Sequence, residues 1–211
     1  MRSVKQYFYS LYRWFRPVLV KGSGNEVRVL SHGVQRFLLT VDGCNNKIVI
    51  DDGVYLLNVR ITVSGDNNIV KISPKSRLYN VDLRIDGTDN EFYFGVNAGV
   101  READILIKEG RKVIVGDDSM LSYGINIRTT DSHSIIDCDT GERINPARDV
   151  IVGEHCWISQ NVTLLKGAKI GDHSIVGFGS ICSREYPGHC IIAGIPGKII
   201  KENIDWKRSL T

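Results

Sequence analysis

Apolar residues recur along this chain at a fixed long step. Ile50, Ile72 and Phe94 lie 22 residues apart, and Val115 follows one residue early. Leu56, Leu78 and Val100 keep the same step and lead to Leu121, while Ile61, Leu83, Ile105 and Ile127 keep it without slip. Val29, Val34 and Leu39 mark an earlier copy. Within a copy the apolar positions are five to six residues apart, as at 50, 56 and 61 or 115, 121 and 127. Neither the period of a helix nor that of an extended strand produces this spacing. A chain that turns a corner about every six residues does, and three such sides make a triangular coil of about 18 residues. The four additional residues of a 22-residue coil fall on Gly43-Cys-Asn-Asn46, Gly65-Asp-Asn-Asn68 and Gly87-Thr-Asp-Asn90. Gly and Asn tolerate left-handed backbone angles, so these tetrads are expected to bulge at one corner.

The C-terminal half carries the regular version. Val152, Ile158, Leu164, Ile170 and Val176 are spaced by six, and Gly153, Ser159 and Gly171 directly follow three of them. One coil alone cannot bury its apolar side, so each aliphatic residue is expected to stack on its equivalent in the next coil. The pattern of aliphatic, small, two variable, small, variable resembles the hexapeptide motif of left-handed parallel β-helix acyltransferases. The expected fold is therefore an all-β, left-handed parallel β-helix spanning residues 22–200.

One stretch breaks the repeat. Residues 128–149 are polar, lack the six-residue pattern, and contain His133, Gly141 and Pro146. A long irregular insertion inside a compact repeat is usually functional, so it is read as a protruding catalytic loop. Residues 1–21 hold six aromatic and five basic residues and no acid. Val4, Phe8, Leu11, Tyr12 and Phe15 would share one face of a short helix ending before Pro17. Such a segment either caps the open end of the β-helix, the favoured reading, or makes a peripheral contact with a membrane surface. Residues 201–211 are expected to form a short helix or arm, with Ile204 and Trp206 packing back on the last coil.

Composition narrows the partners. The hydrophobic share of 42% and charged share of 24% are those of an ordinary globular protein, and a net charge of +3 is too small to point to nucleic acid. Nothing in the sequence reads as a transmembrane helix or a signal peptide. Five cysteines with no CxxC pair favour reduced thiols in a cytoplasmic protein, at most near the inner face of the membrane, over disulfides or a zinc site.

Of the five histidines, His133 alone lies in the insertion. His32 and His189 fall in expected turns, and His155 and His173 occupy variable positions whose side chains normally face solvent. The stretch Thr130-Asp-Ser-His133, Gly141-Glu-Arg-Ile-Asn145 and Asp149 to Trp157 resembles hexapeptide sugar O-acetyltransferases, above all those acting on bacterial capsular polysaccharides including polysialic acid. The resemblance implies His133 as catalytic base and Trp157, 24 residues later, beside the acetyl-CoA thioester. The segment Ile191 to Lys201 is similar to the family's closing segment. Likeness to galactoside-type acetyltransferases further implies a groove for the co-substrate acetyl-CoA lined by Gln160, Phe178, Ser183, Arg184, Lys198 and Lys201, with the cations meeting the phosphates. Phe178 departs from the family's small residue in that turn. The resemblance also implies a homotrimer with active sites between neighbouring β-helices.

The chemistry suits these residues. A sugar hydroxyl attacks a thioester poorly until a base takes its proton, and an imidazole titrates in the right range. A second group must fix the ring tautomer; Asp131 and Glu142 are candidates, and a backbone carbonyl would serve equally. Trp157 offers an indole face and one N–H donor, or alternatively trimer-interface packing. The expected activity is acetyl-CoA-dependent O-acetylation of a sugar hydroxyl on a bacterial surface polysaccharide. An N-acetyltransferase on an amino sugar and a non-catalytic trimeric scaffold are the alternatives. A zinc carbonic anhydrase on the same fold is disfavoured: it requires three converging His, and no pair is closer than 16 residues. No metal is expected.

Overall fold

The computed structural model describes residues 18–210. It is a three-sided parallel β-solenoid, and every strand pairing is parallel except the last, where Lys198–Glu202 folds back antiparallel on Cys190–Ala193. The first face is an eight-stranded sheet running from Glu26–Val29 to Glu185–Tyr186. The second and third faces are joined as one sheet because the early coils cross between them on ten-residue strands such as Tyr55–Ser64 and Arg77–Asp86. Those strands bend where Asn58 and Asn80 adopt left-handed φ of 57° and 51°.

Each face buries one apolar column. Ile50, Ile72, Phe94, Val115, Val152, Ile170 and Tyr186 are register partners on the first face. Leu56, Leu78, Val100, Leu121, Ile158, Val176 and Ile192 form the second column. Leu39, Ile61, Leu83, Ile105, Ile127, Leu164 and Cys182 form the third. All are buried in one continuous core. The 22-residue step of the sequence is thus the register shift from coil to coil.

The Gly-x-x-Asn tetrads lie at the corner between the third and first faces, as their bulge required. Their last residues form a ladder. Asn68 Oδ1 accepts the backbone N–H of Asn90 at 2.9 Å, and Asn46 Oδ1 accepts that of Asn68 at 2.9 Å. Each Nδ2 also donates to a glycine carbonyl one coil on, Gly65 for Asn46 and Gly87 for Asn68. This satisfies buried backbone groups that the bulge takes out of the sheet. Gly65 must be glycine: its φ is 116°, and a Cβ there would stand 2.1 Å from the Gly87 carbonyl oxygen.

One boundary differs from expectation. Val18–Lys21 is already a strand, paired with Leu39–Asp42, because its alternating side chains extend the third face by one coil. The remainder of the expected N-terminal helical segment, residues 1–17, lies outside the described residues. Of the two forms expected for the C-terminal segment, the described residues take the arm: after Glu202 it returns along the corner between the first and second faces, where Trp206 is buried. No helix among the described residues is long and apolar enough to cross a membrane.

Candidate active site

The insertion leaves the third face after Ile125–Arg128 and re-enters the first face at Val150–Val152, at the same corner as the bulges. Its neck is closed by Arg148 N–H donating to the Thr129 carbonyl at 3.0 Å. Beyond the neck it is a small antiparallel hairpin, with Ile144 N–H to the Ile135 carbonyl at 2.9 Å and Asp137 N–H to the Glu142 carbonyl at 2.8 Å. Asp137 caps the turn, accepting from the N–H groups of Asp139 and Thr140.

Asn145 organises the hairpin from within. It is buried, its Oδ1 accepts the Ile135 N–H at 2.7 Å, and its Nδ2 donates to Asp131 Oδ2 at 2.7 Å and to the His133 carbonyl at 2.8 Å. Lys166, from the next coil, donates to Asp131 at 2.5 Å and to the Asn145 carbonyl at 3.2 Å. On the other side Arg143 forms a two-point pair with Glu109 at 2.7 and 3.0 Å, and Thr130 donates to the same carboxylate at 2.7 Å. These contacts, Arg143 foremost, hold the Glu109 carboxyl at about 2. Lys166 and Asn145 likewise lower the Asp131 carboxyl.

His133 is exposed at the start of this anchored hairpin, and no hydrogen bond or ion pair reaches its ring among the described residues. Asp131 is turned to Lys166 and Asn145, and Glu142 faces solvent with no side-chain partner among the described residues, so neither expected carboxylate orients the imidazole there. The residue that fixes the His133 segment is Asn145, acting through the backbone. The sequence marked it only by its place in the Gly141 to Asn145 stretch.

Trp157 opens the second face, one corner away from the insertion, and is 37% exposed. It lines a groove of about 380 Å³ with Arg77, Tyr79, Arg101, Tyr123 and Arg208, and no carboxylate lines that groove. Arg101 stacks over the Tyr79 ring at 4.8 Å. The groove is therefore cationic and aromatic, a combination suited to carboxylated sugar rings.

The other expected co-substrate residues are spread around the prism. Gln160 and Phe178 stack in successive coils at the corner between the second and third faces, joined by Gly179 N–H to the Gln160 carbonyl, and Phe178 is 69% exposed. Ser183 and Arg184 sit at the corner between the third and first faces, in a depression shared with Arg111, Arg148 and Lys169. Arg184 donates to the Gly197 carbonyl at 3.0 Å, while Lys198 and Lys201 are exposed on the final strand. A single chain does not bring these residues together with His133 and Trp157.

A second cluster, unmarked in the sequence, lies at the corner between the first and second faces. His155, expected to face solvent, is half-buried because the C-terminal arm closes over its corner. Its Nδ1 lies 2.6 Å from Asp118 Oδ2 and its Nε2 3.0 Å from the Trp206 carbonyl, while the two rings stack at 4.4 Å. Burial opposes its charge, yet these two acceptors raise its pKa overall. Trp206 returns an indole N–H to the His155 carbonyl at 2.6 Å and packs 6.0 Å from Trp157. Arg208 bonds Asp118 at 2.9 Å, which brings it to the Trp157 groove. His173 and His189 continue the column, their rings stacked at 4.7 Å. Asp118, His155, His173 and His189 all have left-handed φ, one per coil.

Comparison with known proteins agrees with this architecture. The family model "Bacterial transferase hexapeptide (six repeats)" matches residues 149–184. The polysialic acid O-acetyltransferase of Neisseria meningitidis is 38% identical over 108 residues, 51% of this chain and 50% of that protein. The polysialic acid O-acetyltransferase of Escherichia coli O1:K1 / APEC is 35% identical over 97 residues, 46% of this chain and 32% of that protein. The matched stretch thus spans half or less of the length of these curated relatives. Over nearly the whole chain, the crystal structure of the polySia specific acetyltransferase NeuO superimposes with a TM-score of 0.85 at 32% identity, covering 92% of this chain and 89% of that one. That of the polysialic acid O-acetyltransferase OatWY does so with a TM-score of 0.87 at 31% identity, covering 93% of each.

Proposed function

Because the chain belongs to the hexapeptide-repeat acetyltransferase family, with its left-handed β-helix, we propose that it transfers an acetyl group from acetyl-CoA to a hydroxyl of an acidic surface polysaccharide. The observation that carries this reading is His133: its segment is held from behind by Asn145, while its imidazole is left exposed and unengaged within the chain. In the proposed reaction His133 takes the proton of the acceptor hydroxyl as that oxygen adds to the thioester carbonyl. The tetrahedral intermediate collapses with cleavage of the C–S bond. The proton passes to sulfur, free CoA leaves, and the ester remains on the sugar. Trp157 supplies an apolar wall beside the thioester, and the arginines and tyrosines of its groove receive the acidic polymer. The relatives' action on polysialic acid supports a carboxylated acceptor.

His133 and Trp157 occupy different corners of one prism, which supports a site assembled between copies in a homotrimer, His133 from one chain and Trp157 from its neighbour. The test is release of CoA thiol from acetyl-CoA, for wild type and His133→Ala, against acidic polysaccharides, neutral polysaccharides and amino sugars. Release that depends on an acidic polysaccharide, and that falls about a hundredfold or more in the variant, is expected. Unchanged release in a folded His133→Ala protein would sink the mechanism, and release with amino sugars alone would replace O-transfer by N-transfer.

A further inference from the structure

Residues 18 apart in a β-solenoid are what residues four apart are on a helix: neighbours on one face. His155 and His173 are separated by one regular coil, so they form a close pair that spacing rules drawn from helices and loops do not register. The returning arm adds Asp205 to this pair. One ligand atom from each of His155, His173 and Asp205 lies within 4.8 Å of the others.

Three of the separations are near those of one coordination sphere, and binding would draw in the ligand atoms of the two histidines, which lie within 4.8 Å of each other. His155 Nε2 is 3.7 Å from Asp205 Oδ1 and 3.0 Å from the Trp206 carbonyl oxygen, and His173 Nδ1 is 3.4 Å from Asp205 Oδ1. Ligand atoms about 2.0 to 2.1 Å from a tetrahedral zinc stand about 3.3 Å from one another. Two imidazole nitrogens, one carboxylate and one carbonyl are a donor set that zinc or a similar divalent transition ion accepts. The surroundings prepare these donors. Asp118, 2.6 Å from His155 Nδ1, keeps a proton on that nitrogen, so that Nε2, once its own proton is displaced by the ion, presents a lone pair, the usual carboxylate support behind a metal-bound histidine. The N–H of Trp206 donates to Asp205 Oδ1 at 2.9 Å and sets that oxygen toward the two rings.

We propose that His155, His173, Asp205 and the Trp206 carbonyl form a divalent transition-metal site that staples the C-terminal arm to the corner beside Trp157. The ion replaces the Nε2 proton of His155, which goes to solvent, and its role is structural. It holds Trp206 against Trp157 and Arg208 at the mouth of the groove. The site stands on this chain's geometry alone and does not depend on the acetyl-transfer reading.

The test uses the full chain, dialysed against EDTA and titrated with zinc chloride by calorimetry, with retained metal counted by mass spectrometry. One zinc per chain is expected. Asp205→Asn and His173→Gln should each weaken binding at least about tenfold, and Asp118→Asn about ten- to hundredfold. Cys138→Ser, remote from the site, should leave the affinity unchanged. Zinc should also slow amide exchange across residues 203–208. Absence of stoichiometric zinc, or affinity indifferent to Asp205→Asn and His173→Gln, would overturn the proposal. So would nitrogen NMR showing His155 with both ring N–H groups in the presence of zinc, which would make the cluster a metal-free imidazolium clasp.

Discussion

The side-chain amide of Asn145 donates to the backbone carbonyl of His133 at 2.8 Å, so the exposed histidine is positioned by a buried residue that does not touch its ring. Asn145→Asp preserves shape but replaces that donor by an oxygen facing the carbonyl and the Asp131 carboxylate. A shift of about 1 Å in a reacting group costs about a hundredfold in rate. Asn145→Asp is therefore expected to lower kcat by about that factor while KM for acetyl-CoA changes little. Steady-state kinetics beside a melting curve check it, and loss of fold in place of loss of kcat would reject a positioning role.

Glu109 anchors the same hairpin with a pH signature. Its carboxyl sits at about 2 in the folded chain against an ordinary 4.5. A depressed carboxylate contributes stability that is fully present above 4.5 and lost as pH falls through 2. Protection of the amides of residues 135–144, taken relative to the intrinsic exchange rate at each pH, should fall progressively below pH 4.5 in wild type. Glu109→Gln should start from faster exchange at neutral pH and respond less to acid; the remaining response is assigned to Asp131, whose carboxyl is also lowered.

The asparagine ladder makes a prediction about stability alone. Asn68→Ala removes the acceptor of the Asn90 N–H and the donor to the Gly87 carbonyl, both inside the bulge corner. Leaving such groups unpaired costs about 1–3 kcal/mol. Urea unfolding should register a loss in that range with kcat unaltered in the folded protein.

An active site shared between copies predicts complementation. His133→Ala and Trp157→Ala are each expected to be nearly inactive. After co-unfolding and refolding in equal amounts, about a quarter of the interfaces should pair an intact His133 with an intact Trp157. Activity recovering to about that fraction supports the shared site, and no recovery in verified mixed trimers speaks for a site within one chain.

The three core columns were readable in advance because a solenoid writes its register directly into sequence: Ile50, Ile72 and Phe94 are equally spaced in the chain and adjacent in the core. The exposed position of His133 on an insertion was readable from its place in the interruption. Asn145 was not, since its role depends on three partners at sequence distances set by the hairpin's path. The misreading of His155 has a different origin. Its corner position is ordinarily wet, and only the arm's return, 51 residues later in the chain, covers it. The positions expected around the co-substrate were scattered over three corners for a related reason: a one-dimensional pattern carries coil register but no relation between neighbouring prisms.

Gly65, with its φ of 116° and no room for a Cβ, begins a segment that ends at Asp86 and is followed by Gly87 in the same conformation. Such a segment is interchangeable. Duplicating residues 65–86 would leave the turns on either side with the neighbours they already have, add one junction between the two copies, and lengthen the body by about one strand spacing of 4.8 Å. The insertion and Trp157 lie beyond Phe94, and a duplication would leave Arg77 and Tyr79 of the second copy beside Arg101 and Tyr123 as they are now. A lineage built on this unit can lengthen its body in whole increments, like a ruler extended by identical divisions, without disturbing the insertion or the Trp157 groove.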